Sequence, residues 1–142
     1  MSKAKIRLLK RSEIPKIIAL HKDSIVPIWK KHNRPFNLRN IKKYFEKRFT
    51  KEKIYVIEKY KKIIACGSIL IENNYADLGI ILVSKKEQGR GYGKRIMSFL
   101  EDIAKKRGAK RITLDVLLEN PALDFYKHLG YKPFKLIMQK EL

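Results

Sequence analysis

A glycine-dense hexapeptide, Gln88-Gly89-Arg90-Gly91-Tyr92-Gly93, lies between a short apolar run, Ile80 to Val83, and a segment patterned as a helix. A strand, a glycine turn and a helix start together form an anion cradle. Glycine lets the backbone turn tightly and approach a ligand with no Cβ in the way, while the unpaired N–H groups of a helix start face phosphate oxygens in a favourable dipole. The ligand such a cradle suits carries a pyrophosphate. Two common nucleotide loops do not fit the spacing. The P-loop, G-x-x-x-x-G-K-S/T, fails because Gly89 is followed five positions later by Lys94, and Arg95 stands where Ser or Thr belongs. The dinucleotide pattern G-x-G-x-x-G fails because the glycines fall at 89, 91 and 93.

What remains is Gln or Arg, two residues, Gly, one residue, then Gly or Ala, met by Gln88, Gly91 and Gly93. Downstream, the segment from Asn120 to Tyr131 follows N-x-x-A-x-x-F/L-Y-x-x-x-G-F/Y with one residue fewer between the Asn and the Ala, through Asn120, Ala122, Phe125, Tyr126, Gly130 and Tyr131. Residues from about 77 to 131 therefore resemble the GNAT superfamily of N-acetyltransferases, in which the first pattern is the acetyl-CoA pyrophosphate loop. The bland reading of the first pattern alone is a basic, Gly-rich loop with no ligand. The resemblance implies an α/β fold of the GNAT acyl-CoA N-acyltransferase type, a mixed, mostly antiparallel sheet with a central splayed parallel strand pair, flanked by helices.

Further expectations follow from the resemblance, residue by residue. Backbone groups near Ile81, Leu82 and Val83 would bind the pantetheine arm like an extra strand, and Gln88, Gly89, Arg90, Gly91, Tyr92, Gly93 and Lys94 would hold the pyrophosphate. Asn120 would hydrogen-bond the pantetheine, and Lys127 would lie near the coenzyme's anionic end or stand as a solvated surface lysine. A backbone N–H near Val83 would stabilise the oxyanion. Tyr126 would protonate the leaving thiolate, whose pKa near ~8.5 makes such help useful; the alternative is a core aromatic beside Phe125 and Leu129.

Acetyl transfer also needs a neutral amine, and a lysine-like amine with pKa near ~10.4 is mostly protonated at pH 7. Asp77 stands on the strand before the loop, where a number of superfamily members carry a Glu base. Its shorter side chain favours action through water, and an equal reading is a strand-start carboxylate near the Asn73-Asn74 turn. Trp29, His32, Pro35 and Phe36 fall where the superfamily's acceptor site is often walled, and serve equally as packing residues. No metal is implied, because the spacing of His21, His32 and His128 supplies no ligand set. His128 reads as a surface residue.

The elements that must position these groups alternate as in an α/β domain. Ile6 to Leu9 reads as a strand, and Ser12 before Glu13, Ile14 and Pro15 as a helix start with Ser as N-cap. Ile14, Ile17, Ile18 and Leu20 continue a helical pattern. After a loop at 32–36, Asn37 caps a second helix carrying Ile41, Tyr44, Phe45 and Phe49. Lys53 to Lys59, Ile63 to Glu72 and Tyr75 to Val83 form an antiparallel meander, turning at Asn73 and Asn74. Ile96, Leu100, Ile103 and Ala104 share a face of the helix that ends at Gly108, and Arg111 to Leu117 is the next strand. Strand, crossover helix and strand imply a parallel pair with its ligand at the carboxyl ends.

Composition bounds the rest. The 142 residues, 44% hydrophobic, suit a single N-acetyltransferase domain spanning 1–142. No run approaches the ~18 apolar residues of a membrane span, and the charged start lacks a signal-like apolar region, so a soluble, cytoplasmic protein is expected. The one cysteine, Cys66, sits in an apolar run and reads as core. A formal charge of +20, from 34 Lys and Arg against 14 Asp and Glu, attracts polyanions such as RNA, the ribosome or acidic substrates and repels cations. Its bland counterpart is a solvated Lys-rich surface, and no nucleic-acid motif accompanies it.

Two departures from the family pattern concern the acceptor. Lys85 replaces a proline that often precedes the coenzyme loop. Only twelve residues, Tyr131 to Leu142, follow Gly130, so the acceptor cleft is expected to be open or completed by another subunit of a homodimer. The resulting expectation is an enzyme that moves acetyl from acetyl-CoA to a primary amine, either on a protein or on a small neutral or acidic molecule. The competing class is a non-catalytic, basic GNAT-like binding module for ribosome or nucleic acid.

Overall fold

Five strands form one sheet in the order β1-β2-β3-β4-β5 in a computed structural model that describes residues 4–35 and 37–142. They are β1 (Lys5–Leu8), β2 (Lys53–Lys59), β3 (Lys62–Glu72), β4 (Tyr75–Val83) and β5 (Arg111–Leu114). The first four pair antiparallel, with short turns joining β2 to β3 and β3 to β4, whereas β4 and β5 are parallel because a helix crosses between them. The Asn73 turn adopts φ 51°, in keeping with asparagine's tolerance of the left-handed region. The parallel pair lies at the edge of the sheet rather than its centre, since the residues after Tyr131 form no strand beyond β5.

The helices are α1 (Ile14–Ser24), α2 (Val26–Lys31), α3 (Leu38–Lys51), α4 (Tyr92–Lys106) and α5 (Ala122–His128). Asn37 caps α3 as expected, its Oδ1 accepting from Asn40 N at 3.2 Å. Ser12 does not cap α1. It lies inside a 3-10 turn, Arg11–Glu13, and the Glu13 carboxylate instead accepts from the Lys10 N–H at 2.9 Å. Glu13 wins that role because Arg7 holds it in place at 2.7 Å; the same hydrogen bond pulls its carboxyl down to about 2. The separate short helix α2 was not read from sequence; Pro27 sits in its first turn, where a missing N–H does no harm.

The two faces of the sheet bury separate cores. On one, α1 and α3 set Ile17, Ile18, Ile41 and Phe45 against Val56, Ile80 and Leu82. On the other, α4 and α5 set Ile96, Met97, Leu100 and Tyr126 against Ile57, Ala76 and Leu78. Full burial of a Phe or Ile contributes about 1.5–3 kcal/mol, so Phe45 and Ile17, each 1% exposed, anchor the first face. Cys66 is wholly buried there as expected, and burial pushes its thiol up to about 12.

One irregularity in β4 decides which residues reach which core. Gly67 pairs with Ile81 and Ile69 with Leu78, so Gly79 and Ile80 together oppose Ser68 in a β-bulge. Side chains before and after the bulge therefore change phase. Ala76 and Leu78 pack toward α4, while beyond the bulge Ile80 and Leu82 pack toward α1 and α3.

Candidate active site

The bulge is also where the parallel pair opens. The β4–β5 register runs from Tyr75 opposite Arg111 to Leu78 opposite Leu114 and stops, although β4 continues to Val83. For the same reason β5 ends at Leu114 and not at Leu117: residues 115–117 have no adjacent stretch of β4 to pair with. Ser84 N donates to Ile64 O at 2.8 Å on the β3 side. Antiparallel alternation then turns the peptide groups of Leu82 toward β3 and those of Ile81 and Val83 into the gap. Of the three residues expected to offer backbone there, Ile81 and Val83 face it and Leu82 does not.

The glycine turn closes one end of this gap. Gln88 Nε2 donates to Val83 O at 3.1 Å, folding the loop back on the strand. Asp23 on α1 ties the other side, accepting from Lys85 N at 2.8 Å. Gly89 and Gly91 adopt φ 80° and 90°, a region that side-chain-bearing residues avoid. Gly91 is the N-cap of α4 and offers no side chain to the helix start, and the first turn of α4 carries no acid. The N–H groups of Gly93 and Lys94 thus stand in the first turn of a long helix, where no carbonyl lies one turn earlier in the helix to accept from them. Around them, Glu87 lies 3.5 Å from Lys59 Nζ and 3.6 Å from Arg90 Nη1, and Lys59 sits 5.5 Å from the centre of the Tyr92 ring.

Gly93 joins the two sequence patterns in space. A Cβ on it would lie 3.3 Å from Phe125 Cζ on α5 and 3.7 Å from Val83 Cγ2 at the end of β4. Tyr126, the next residue of α5, is 7% exposed, and burial pushes its phenol up to about 12. A phenol held neutral in this way is a proton donor across the physiological range, and among the described residues its hydroxyl has no hydrogen-bond partner. Its ring leans on Phe125 at 5.4 Å and on Tyr131 at 6.2 Å, and Tyr131 in turn donates to Glu101 on α4 at 2.7 Å. Asn120 brackets the start of α5, its Oδ1 accepting from Ala122 N at 2.9 Å, which leaves its amide nitrogen for another partner. Lys127 and His128 are exposed, the latter with Nδ1 2.7 Å from Asp124 O.

Asp77 occupies the last paired stretch of β4, one residue before Leu78. Its Oδ1 accepts from Thr113 Oγ1 on β5 at 2.9 Å, and it is half-buried. On the α1 and α3 side, His21 is buried with Nδ1 unpartnered among the described residues, edge-on to Trp29 at 4.9 Å and Phe45 at 5.6 Å. Burial pushes its imidazole down to about 4. Trp29 packs on that core, His32 and Pro35 are exposed, and Phe36 lies outside the described residues. An Arg34–Glu119 ion pair ties the segment after α2 to the one before α5.

Sequence reading missed Glu52, Ser68 and Arg48, which join at the bulge through a buried carboxylate. Only the presence of Glu52 at the start of β2's apolar run hinted at it. Among the described residues no cluster of His, Cys, Asp and Glu could hold a metal, and no helix is long and apolar enough to cross a membrane.

Comparison with known proteins places the fold in a family. The family model described as Acetyltransferase (GNAT) family matches residues 17–131. The uncharacterized N-acetyltransferase YobR of Bacillus subtilis (strain 168) is 31% identical over 74 residues, 51% of this chain and 30% of that protein. The glucosamine 6-phosphate N-acetyltransferase of Arabidopsis thaliana is 29% identical over 86 residues, 56% of each chain. The matches thus span less than two thirds of either relative. A tetramutant protein from Bacillus halodurans has the same fold with a TM-score of 0.85 at 21% identity, over 97% of this chain and 99% of that one. The chain belongs to the GNAT acetyltransferase family.

Proposed function

We propose that this chain transfers an acetyl group from acetyl-CoA to a primary amine by direct attack, with no covalent enzyme intermediate. One observation carries the reading: the unpaired edge of β4 beyond Leu78, the bare start of α4 and the Tyr126 helix converge at Gly93. Acetyl-CoA fits the residues present, since the exposed positive-φ glycines leave open space where a Cβ would stand and no acid lies in the first turn of α4. When bound, it supplies an activated thioester. The N–H groups of Tyr92, Gly93 and Lys94 hold the pyrophosphate, aided by Arg90, while the peptide groups of Ile81 and Val83 and the Asn120 amide hold the pantetheine.

In the transfer, the amine nitrogen bonds to the acyl carbon and the carbon–sulfur bond breaks. The Val83 N–H receives the charge that develops on the carbonyl oxygen, and Tyr126 gives its proton to the departing sulfur. The surplus amine proton leaves through water toward Asp77, which Thr113 keeps oriented. The acceptor is a protein amine or a small neutral or acidic one. The charge of +20 disfavours a cationic molecule, and the Arabidopsis relative is named for an anionic amine, glucosamine 6-phosphate. The test is amine-dependent release of coenzyme A thiol across a panel of peptides and small amines. Turnover with any of them supports the enzyme, and none across the panel leaves the non-catalytic module as the better reading.

A further inference from the structure

The β4 bulge is held by a chain of hydrogen bonds that the reaction above does not use. Where Gly79 and Ile80 oppose the single residue Ser68, one peptide N–H loses its strand partner. Ile80 N donates instead to Ser68 Oγ at 2.8 Å, and the Ser68 hydroxyl donates to Glu52 Oε1, also at 2.8 Å. Arg48 Nη1 then donates to Glu52 Oε2 at 2.6 Å. Ser68 is 0% exposed and the Glu52 side chain 1%. An ionised carboxylate only accepts, so the Ser68 proton must point to Glu52 and a lone pair is left for Ile80. Every bond in the chain has one direction. Gly79 completes the arrangement, because a Cβ there would stand 2.5 Å from Glu52 Oε1 and 2.7 Å from Arg48 Nη1.

We propose that Glu52 is a positioning residue for acetyl transfer: acting through Ser68, it locks the bulge so that the N–H groups of Ile81 and Val83 stay aimed into the gap between β4 and β5. The inference rests on the acetyltransferase reading. Stability alone does not account for the chain, since well-packed apolar residues commonly replace a buried ion pair without loss. An apolar trio could not hold the Ile80 N–H in one direction. The bulge also stands immediately after Leu78, where β5 departs, so a slip there would move the amides that face the substrate.

The test compares Ser68→Ala and Glu52→Gln with the parent, using amide hydrogen exchange at Ile80 together with kcat and KM for acetyl-CoA. In Ser68→Ala, exchange at Ile80 should quicken about tenfold or more, because its acceptor is gone. In both variants kcat should fall roughly ten- to a hundredfold with KM for acetyl-CoA nearly unchanged, as expected when reacting groups are misplaced but binding is kept. Variants that melt at lower temperature yet turn over, per folded molecule, at the parent's kcat would overturn the inference and leave the acetyltransferase reading intact. If Ser68→Ala does not fold, the isosteric Glu52→Gln decides by the same kcat. A parent that releases no thiol with any amine would remove both, and the chain of bonds would then serve the fold alone.

Discussion

The α4 side of the sheet and the α1 and α3 side hold their polar groups by different physical means. On the α4 side most candidate ligand contacts are backbone groups, exposed by positive-φ glycines at 89 and 91 and by the loss of a strand partner beyond Leu78. On the other side the polar groups are side chains brought together from afar: Arg48 and Glu52 at the end of α3, Ser68 on β3 and His21 on α1. Backbone sites depend on local spacing, so one substitution at a turn should erase them. Side-chain networks depend on packing, and damage to them should be graded.

The largest effect should follow from closing the backbone cradle. Gly91→Asp places a carboxylate at the start of α4, on a residue whose φ of 90° disfavours any side chain. Acetyl-CoA should raise the melting temperature of the parent and not of the variant, with ATP and NAD giving far smaller shifts to the parent. Equal stabilisation of parent and variant would mean that the coenzyme does not bind at the start of α4.

Next in size is the loss of one oxygen on the α4 side. Tyr126→Phe keeps the ring contacts with Phe125 and Tyr131, so acetyl-CoA affinity should hold while kcat falls by about 10² to 10⁴. The deficit should shrink above about pH 8.5, where a thiolate leaves with less need of a donor. Parent-like turnover across that range would reduce Tyr126 to a core aromatic.

The same contrast explains what could be read from sequence. The glycine loop and the Asn120 to Tyr131 segment are each contiguous, so residue type and spacing carried the family, the strand bounds of β2 and β4, and the parallel pair. The β4 bulge was not legible, because its cause is a pairing between residues far apart in the chain: Ser68 meets Glu52 only after β3 has folded beside β2, and Ile80 joins them only when β4 pairs with β3. The phase of β4 side chains beyond Leu78, the early end of β5 and the facing of Leu82 all follow from that pairing. Ser12 failed as a cap for a similar reason, since Arg7 selects Glu13 through tertiary contact.

A graded effect is expected from His21 on the α1 and α3 side. Its folded pKa of about 4 lies below the ordinary value of about 6.5 for an unfolded chain, so the unfolded state takes up the proton first as pH falls. The neutral, buried form is fully accommodated above about pH 6.5, and stability should drop by about 1–3 kcal/mol between there and pH 4. His21→Gln, which does not titrate, should flatten that part of a denaturant-midpoint against pH curve. An unchanged slope between about pH 6.5 and 4 would mean that burial does not hold the His21 imidazole neutral; the contribution of Glu13 is lost only below about pH 4.5.

The smallest effect should come from a turn that belongs to neither side. Lys59 pairs with Lys62, so Tyr60 and Lys61 form a two-residue hairpin loop with φ of 50° and 64°, positions that favour asparagine and glycine. Lys61→Gly should relieve that strain and stabilise the chain by about 1 kcal/mol, raising the melting temperature by about 2–4 °C. The turn adjoins Lys59, which reaches both Glu87 and the Tyr92 ring at the edge of the cradle. If the cradle is a backbone site set by its own glycines, KM for acetyl-CoA should not move in this variant. A rise in KM alongside the gain in stability would extend the cradle to the β2–β3 hairpin and add Lys59 to its side-chain contacts.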